Sequence, residues 1–416
     1  MRILIYSLNY APEPTGIGKY TGEMAAWFAA RGHAVEVICG LPYYPHWRLA
    51  EAYKDGRSRI ERHVGVQVSR ASHFVPRVDS LNAKTRIRLE TSFSLSAARY
   101  WLPRLFKRNK ADVVIAVMPP MQIGVWPLIY GWLRRVPWVL HVQDLQVDAA
   151  LRLHMLKAGG LGRLLYGIER FLLDHASRVS SITSTMLARI GAKGVPDSRF
   201  WLVPNWADVR GIQPSDRNNS FRTGLCIGAD TLVALYAGNM GEKQGLGLIL
   251  NAAERLQDRS DLVFLMVGDG AARHRLEQQA ATAGLRNLRF LPLQPRERLP
   301  EMLAAADIHL VVQKAEAADL VMPSKLTNIL AAGRPCVATA ERGTGLHDVV
   351  AGHGTGLVCP PEDLNAFVRA LTQLADDSAL RQRLGVAARN YAENYLDQDA
   401  ILSDFEQRLR EIITDK

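Results

Sequence analysis

The first 39 residues, MRILIYSLNYAPEPTGIGKYTGEMAAWFAARGHAVEVIC (Met1–Cys39), decide the fold. Ile3 to Tyr6 is a short apolar run that leads into a Pro/Gly loop, Asn9 to Gly18. After it, Ile17, Tyr20, Thr21, Met24, Ala25, Phe28 and Ala29 recur at the i, i+3/i+4 spacing of an amphipathic helix. Gly32 stops that helix and Ala34 to Cys39 resumes as a strand. Strand, loop, helix and strand in this order open a parallel sheet.

Working outward, the same alternation predicts strands at Val113–Val117, Trp138–Val142 and Ser180–Thr183, with Trp201–Asn205 closing the first half. A polar stretch, Gln213 to Ser220, separates the halves. A second series follows at Leu232–Ala237, Leu262–Val267, Leu288–Leu291, Ile308–Val312, Cys336–Ala340 and Gly356–Val358, each trailed by a helix-like segment. The expectation is an α/β protein of two doubly wound, Rossmann-like parallel-sheet domains in tandem. A chain of 416 residues also exceeds one ordinary core. In such sheets ligands bind beyond the carboxyl ends of the strands, so the loops there are where chemistry belongs.

The net charge of +10 is unevenly placed. Residues 1–205 carry 28 Lys and Arg against 14 acids, while residues 206–416 carry 23 against 27. A basic half joined to a mildly acidic half suggests that one half meets an anionic surface or ligand. Cys39, Cys226, Cys336 and Cys359 lie far apart, with no CxxC and no His at metal-ligand spacing, so reduced thiols are expected and zinc is not. The N-terminus lacks the pattern of a signal peptide. The uncharged stretch Val113–Leu133 contains Pro119, Pro120, Gly124 and Pro127, which fits strand, turn and helix better than a membrane span.

Four loops could carry chemistry. In Thr15-Gly16-Ile17-Gly18 the glycines fit ligand approach at a helix start and a plain tight turn equally; GxGxxG is absent. Ala237-Gly238-Asn239-Met240-Gly241-Glu242-Lys243-Gln244-Gly245 suits a diphosphate, with amides cradling oxygens and Lys243 neutralising charge. It is no Walker A sequence, and a solvated Lys243 is the alternative. Gly268 and Gly270, around Asp269, would let a nucleotide lie against the backbone, or Asp269 simply caps a helix. In Pro323-Ser324-Lys325-Leu326-Thr327-Asn328, Ser324 is expected as an N-cap and Lys325 as a second anion contact.

His141 and Asp144, after the Trp138–Val142 strand, could bond sugar hydroxyls or polarise a leaving group; a satisfied structural histidine is the alternative. Asp397-Gln398-Asp399 reads as acids at a helix start rather than a metal site. Lys84–Lys110 holds eight Lys/Arg and one acid, Glu90. Leu89, Phe93, Ala97, Tyr100 and Trp101 fall near one helical face, followed by Arg104, Lys107, Arg108 and Lys110. With Arg99, Trp101, Arg104, Lys107 and Arg108 facing it, an anionic membrane surface is the expected partner. A solvated helix is the alternative, and nucleic acid is not expected.

With these residues in view, the chain resembles the retaining glycosyltransferases of family 4, whose GT-B fold sets two Rossmann-like domains facing across a cleft. The likeness rests on the PEPTGIGKY loop, Arg31-Gly32-His33, Ala237–Gly245, Val267–Gly270, Ala304–Asp307 and Asn328–Pro335. The flavour of PTGIGKYTGEMA, LPYYPHW and PSKLTNILAAGRP is similar to that of enzymes building colanic-acid-type exopolysaccharide on a polyprenyl-diphosphate carrier, which implies a fucosyl donor. The resemblance implies an acceptor domain over 1–205, a nucleotide-sugar domain over 206–385, and a helical tail over 386–416 packing back on the first. It implies Lys243 on the diphosphate, with Gly238, Asn239, Gly268, Gly270 and Leu293 around the nucleotide. Ser324, Lys325, Leu326 and Asn328 would lie along phosphates and ribose. His141 and Asp144 would face the transferred sugar, and Gly16 and Gly18 would form the cleft floor. No cofactor or metal is expected beyond the donor itself. A cytoplasmic enzyme, peripheral on the inner face of the plasma membrane, is implied.

Departures accompany the likeness. Asn239 stands where the family has Arg, and Leu320 and Asn328 stand where it has an acidic pair, with Glu316 and Asp319 nearby. The remaining readings are a nucleotide-sugar 2-epimerase of the same fold and a catalytically silent nucleotide-sugar-binding scaffold.

Overall fold

The computed structural model describes residues 1–77, 80, 82–145, 160–315 and 323–414. They divide into two compact units, 1–204 with 402–416, and 205–401.

The first unit is built on an eight-stranded sheet. Its strands are β1 (Arg2–Ser7), β2 (Ala34–Gly40), β3 (Arg59–His63), β4 (Val66–Ala71), β5 (Val113–Met118), β6 (Trp138–Val142), β7 (Arg178–Ser181) and β8 (Phe200–Leu202). They run in the order β3-β4-β2-β1-β5-β6-β7-β8, parallel except at β3–β4. Every residue of β5 and of β6 is buried, as a central strand covered on both faces requires. The β3–β4 hairpin was not read from the sequence. Val64 and Gly65 between its strands both take positive φ, 47° and 77°, the geometry of a tight hairpin turn. The charged alternation of Arg59-Ile60-Glu61-Arg62-His63 belongs to an exposed edge strand, not to a core run.

The second unit holds a six-stranded parallel sheet of order β11-β10-β9-β12-β13-β14. Here β9 is Leu232–Ala237, β10 Leu262–Val267, β11 Leu288–Leu291, β12 Ile308–Val311, β13 Cys336–Thr339 and β14 Gly356–Cys359. Side chains alternate across the strands. Leu232, Ala234 and Tyr236 join Leu262, Phe264 and Met266 in the core on one face. Val233 and Leu235 join Val263, Leu265 and Val267 on the other.

The helical tail expected from 386 divides at 401/402: residues 386–401 belong with the second unit and 402–416 with the first. From Leu402 onward the Gln398–Thr414 helix belongs to the first unit, where it buries Phe405 beside the rings of Phe28, Trp201 and His141. Glu406 takes hydrogen bonds from Arg31 Nε at 2.7 Å and Arg410 Nη2 at 2.6 Å, and meets His33 Nε2 at 2.9 Å. Burial pushes this carboxyl up, yet Arg410, His33 and Arg31 together hold it down at about 2. The Arg31-Gly32-His33 motif is thereby explained as the anchor of the C-terminal helix. Asp397 caps that helix through Ala400 N at 2.8 Å, and Asp399 pairs with Arg210 at 2.9 Å, so both serve as helix-start acids.

Candidate functional site

In the second unit the expected donor loops converge at the carboxyl ends of β9 and β10. Gly238 N donates to Val267 O at 2.9 Å, Met240 N to Asp269 O at 2.8 Å, and Ala272 N to Met240 O at 2.8 Å. Two glycine loops thus lie zipped side by side. A Cβ on Gly268 would fall 2.0 Å from Gly238 O, and one on Gly270 2.5 Å from Met240 O. At φ 141° and 154° both positions also lie in the region that favours glycine. Their immediate requirement is loop against loop. Asp269 does not cap the following helix, which starts at Arg273 after Ala272; its Oδ1 accepts from Gly270 N instead.

Beside this pair sits Lys325, the first residue of the short Lys325–Ala331 helix. Its stem is partly exposed, but its Nζ is buried and has no hydrogen-bond partner among the described residues. The ammonium lies 3.5 Å from the centroid of the Tyr236 ring. A Cβ on Gly238 would stand only 3.3 Å from that Nζ. Burial lowers the Lys325 pKa to about 7, with no counter-ion beside it among the described residues. Leu291, at the end of β11, completes the cluster by accepting Gly268 N at 3.1 Å. Leu293 just beyond it is exposed.

Other expected donor residues are placed differently. Ser324 is exposed, has helical backbone angles and makes no side-chain cap, because Pro323 already starts the turn through Leu326 N. Leu326 is 1% exposed and belongs to the core, so its side chain is not offered to a ligand. Asn328 lies one turn along, half-buried, and Asn239 is exposed. Lys243 lies in the Glu242–Gln244 turn. Glu316, Asp319 and Leu320 lie outside the described residues.

In the first unit Gly16 opens the Gly16–Ala30 helix at φ 61°. Gly18 is required for another reason: a Cβ there would fall 2.6 Å from Glu13 Oε2. Glu13, missed in the sequence, is buried beneath this loop. It accepts from Tyr43 N at 3.1 Å, Tyr44 N at 3.0 Å and Asn9 Nδ2 at 2.9 Å. Burial outweighs these donors and lifts its pKa to about 7. Arg70, also buried, holds Ala11 O at 2.7 Å. The loop is therefore a braced platform, and nothing in its sequence signals a buried carboxyl.

His141 lies within β6 rather than after it, and is buried. Gln143 Nε2 donates to its Nε2 at 2.9 Å, leaving Nδ1–H for Ser180 Oγ at 2.9 Å. Burial lowers its pKa to about 4, so it is neutral at pH 7 with both nitrogens engaged. Asp144, half-buried, is the nearer of the two to the strand-end loop.

The expected membrane-facing set needs correction. The stripe Leu89, Phe93, Ala97, Tyr100 and Trp101 of the Ala83–Phe106 helix is buried against the sheet. Trp101 is 0% exposed, between Trp126, Tyr130 and Tyr6. Arg104 pairs with Glu36 and donates to Tyr100 O at 2.7 Å. The stripe turned outward is Leu95, Arg99, Leu102 and Phe106. Arg134 donates to Leu105 O at 2.8 Å and to Lys107 O at 2.6 Å, bringing the end of the Val125–Arg134 helix alongside. Phe106 at 84% and Trp132 at 80% exposure, with Leu133, therefore neighbour exposed Lys107 and Arg108. No helix of the described residues is long and apolar enough to cross a membrane.

Comparison with known proteins follows the same two units. Residues 15–206 match the glycosyl transferase 4-like domain, and residues 220–391 match glycosyl transferases group 1. The chain is 38% identical over 420 aligned positions to a protein of Escherichia coli K12 named as a colanic acid biosynthesis glycosyl transferase, WcaI, covering 99% of this chain and all of that one. Among solved structures it is similar to a sucrose-phosphate synthase from Thermosynechococcus elongatus, at TM-score 0.75 and 19% identity over the whole of both chains. It is also similar to HepE of Anabaena, solved with UDP-glucose, at TM-score 0.71 and 16% identity over the whole of both chains. The chain belongs to the glycosyltransferases that join a 4-like domain to a group 1 domain in the GT-B fold.

Proposed function

We propose that this glycosyltransferase moves a sugar, with retained configuration, from a nucleotide-diphosphate donor to a polyprenyl-diphosphate-linked glycan in colanic-acid-type exopolysaccharide synthesis. Fucose is the sugar proposed. The observation that carries the donor half is Lys325: a buried ammonium without a hydrogen-bonding partner among the described residues, beside two glycine loops. An unpaired buried cation is costly unless an anion arrives, and a diphosphate would supply one. The colanic acid relative supports the pathway, and HepE with UDP-glucose supports the donor class.

In this reading, charge develops on the leaving diphosphate as the glycosidic bond to it breaks. Lys325 and Lys243 oppose that charge, which is electrostatic preorganisation aimed at the transition state. The leaving phosphate takes the acceptor hydroxyl's proton on the same face as attack. Gln143, oriented through neutral His141, and Asp144 orient the sugar.

The acceptor's lipid would bring the enzyme to a cytoplasmic membrane face. Phe106, Trp132, Leu102 and Leu133 among Arg99, Lys107 and Arg108 have the composition of an interfacial anchor on anionic lipid.

The test is transfer from labelled GDP- and UDP-sugars, GDP-fucose first, to a short polyprenyl-diphosphate-linked glycan, with and without EDTA. Transfer from one donor supports the reading and names the sugar. Failure with every donor, given folded protein and a verified acceptor, overturns the acceptor assignment.

A further inference from the structure

Tyr236 is a core residue of β9 that no donor reading requires, yet it touches both halves of the proposed phosphate site. Its ring face carries Lys325 Nζ at 3.5 Å, and its hydroxyl donates to Asn239 O at 2.6 Å. The ring is fully buried, so its place is fixed by the sheet. We propose that Tyr236 is a positioning residue for donor binding: its face holds the Lys325 ammonium over the Gly238 turn while its hydroxyl holds the turn itself. This rests on the diphosphate reading above and adds to it a residue that never touches the donor.

The physical reason lies in what kind of partner a waiting cation can have. A carboxylate would neutralise Lys325 and then compete with the incoming diphosphate. An aromatic face attracts the ammonium through its quadrupole while giving up no strong acceptor. No described residue takes up the N–H donors of Lys325, so a phosphate oxygen that reaches the ammonium finds them unspent. Gly238 is part of the arrangement, since a Cβ there would crowd the same ammonium at 3.3 Å.

Among the described residues, the titratable groups bearing on Lys325 are Tyr236 on β9 and His309 on β12. Burial lowers the His309 pKa to about 4 and pushes the Tyr236 hydroxyl well above its ordinary range, so neither changes charge near neutrality. Lys325 alone of these titrates there, near 7. An arriving anion favours its charged form, so binding takes up a proton at pH 8.

The experiment is calorimetric titration of the full chain with GDP and with UDP, in two buffers of different ionisation enthalpy. The proteins are wild type, Lys325→Met, Tyr236→Phe and Tyr236→Leu, with thermal midpoints recorded for each. Lys325→Met should weaken the better nucleotide by about tenfold or more and abolish proton uptake. Tyr236→Leu should weaken it about five- to tenfold, and Tyr236→Phe, which keeps the ring but releases the Asn239 carbonyl, by a smaller step of about two- to fourfold. Should Tyr236→Leu fail to fold, graded fluorination of phenylalanine at 236 keeps the shape and drains the ring face, and affinity should fall with each fluorine. Wild-type affinity in Tyr236→Leu, or a flat fluorine series, overturns the positioning role. Wild-type affinity in Lys325→Met overturns the diphosphate reading itself, so the two failures are distinguishable.

Discussion

Lys325 Nζ lies 3.5 Å above the ring of Tyr236, buried and with no hydrogen-bond acceptor among the described residues. Its pKa of about 7 gives donor binding a pH dependence with a definite sign. A diphosphate favours the protonated form, so affinity is retained below about 7 and declines above it, by at most about tenfold per pH unit. Nucleotide affinity measured from pH 6.5 to 9 should show this decline in wild type and lose it in Lys325→Met.

The zipped glycine loops predict a steep local penalty. Gly268→Ala would place a methyl 2.0 Å from Gly238 O at φ 141°. Destabilisation of about 2 kcal/mol or more is expected, with loss of turnover, because backbone has to move. Gly247→Ala is the matched control. It meets nothing within 4 Å at a helix start and should be neutral or stabilising by up to about 1 kcal/mol. Denaturant midpoints of the two variants settle the comparison.

Core and surface aromatics of two neighbouring helices should separate cleanly. Trp101→Ala empties a fully buried site and should cost about 3–5 kcal/mol of stability. Phe106→Ser and Trp132→Ser, at exposed positions, should leave the melting temperature within a few degrees. They should instead reduce flotation with vesicles containing anionic lipid, while neutral vesicles bind poorly throughout. Equal flotation of wild type and the double variant would remove the membrane reading.

Glu406→Gln should destabilise the first unit by about 1–2 kcal/mol, since it leaves Arg31, Arg410 and His33 around an uncharged amide, while the half-exposed arginines regain water. The wild-type carboxyl titrates at about 2 instead of 4.5. Its contribution is therefore complete above 4.5 and lost as the pH falls toward 2. Wild type and variant should converge in stability across that window.

Glu13 carries the opposite sign. Its folded pKa of about 7 lies above the ordinary 4.5, so the folded chain holds the extra proton between those values. Stability should fall as pH rises from 4.5 to 7, and Glu13→Gln should flatten that slope. Glu13→Ala, which strips acceptors from the Tyr43 and Tyr44 amides, should cost about 2 kcal/mol or more at any pH.

Much of the architecture was legible because local spacing reports it. Apolar runs such as Val113–Val117 and Leu262–Val267, short and bounded by turn residues, read as strands covered on both faces, and glycine loops after strands marked where two sheets end. The β3–β4 hairpin escaped because its charged residues lie at an edge, where solvent relaxes the apolar pattern. Ser324 looked like a cap from its neighbours alone, whereas the backbone had already turned one residue earlier.

What the sequence by itself determined, then, was periodicity: which residues share a strand face or a helical stripe, and in what order the elements come. Tertiary structure decided which stripe is covered. The apolar row ending in Trp101 was legible as a row, but only the sheet beneath it makes it core and leaves Leu95, Arg99, Leu102 and Phe106 outside. The same holds for Glu13, Glu406 and Lys325. Whether a charged side chain is buried, and against which partner, depends on residues tens to hundreds of positions away, brought close by packing that no local spacing encodes.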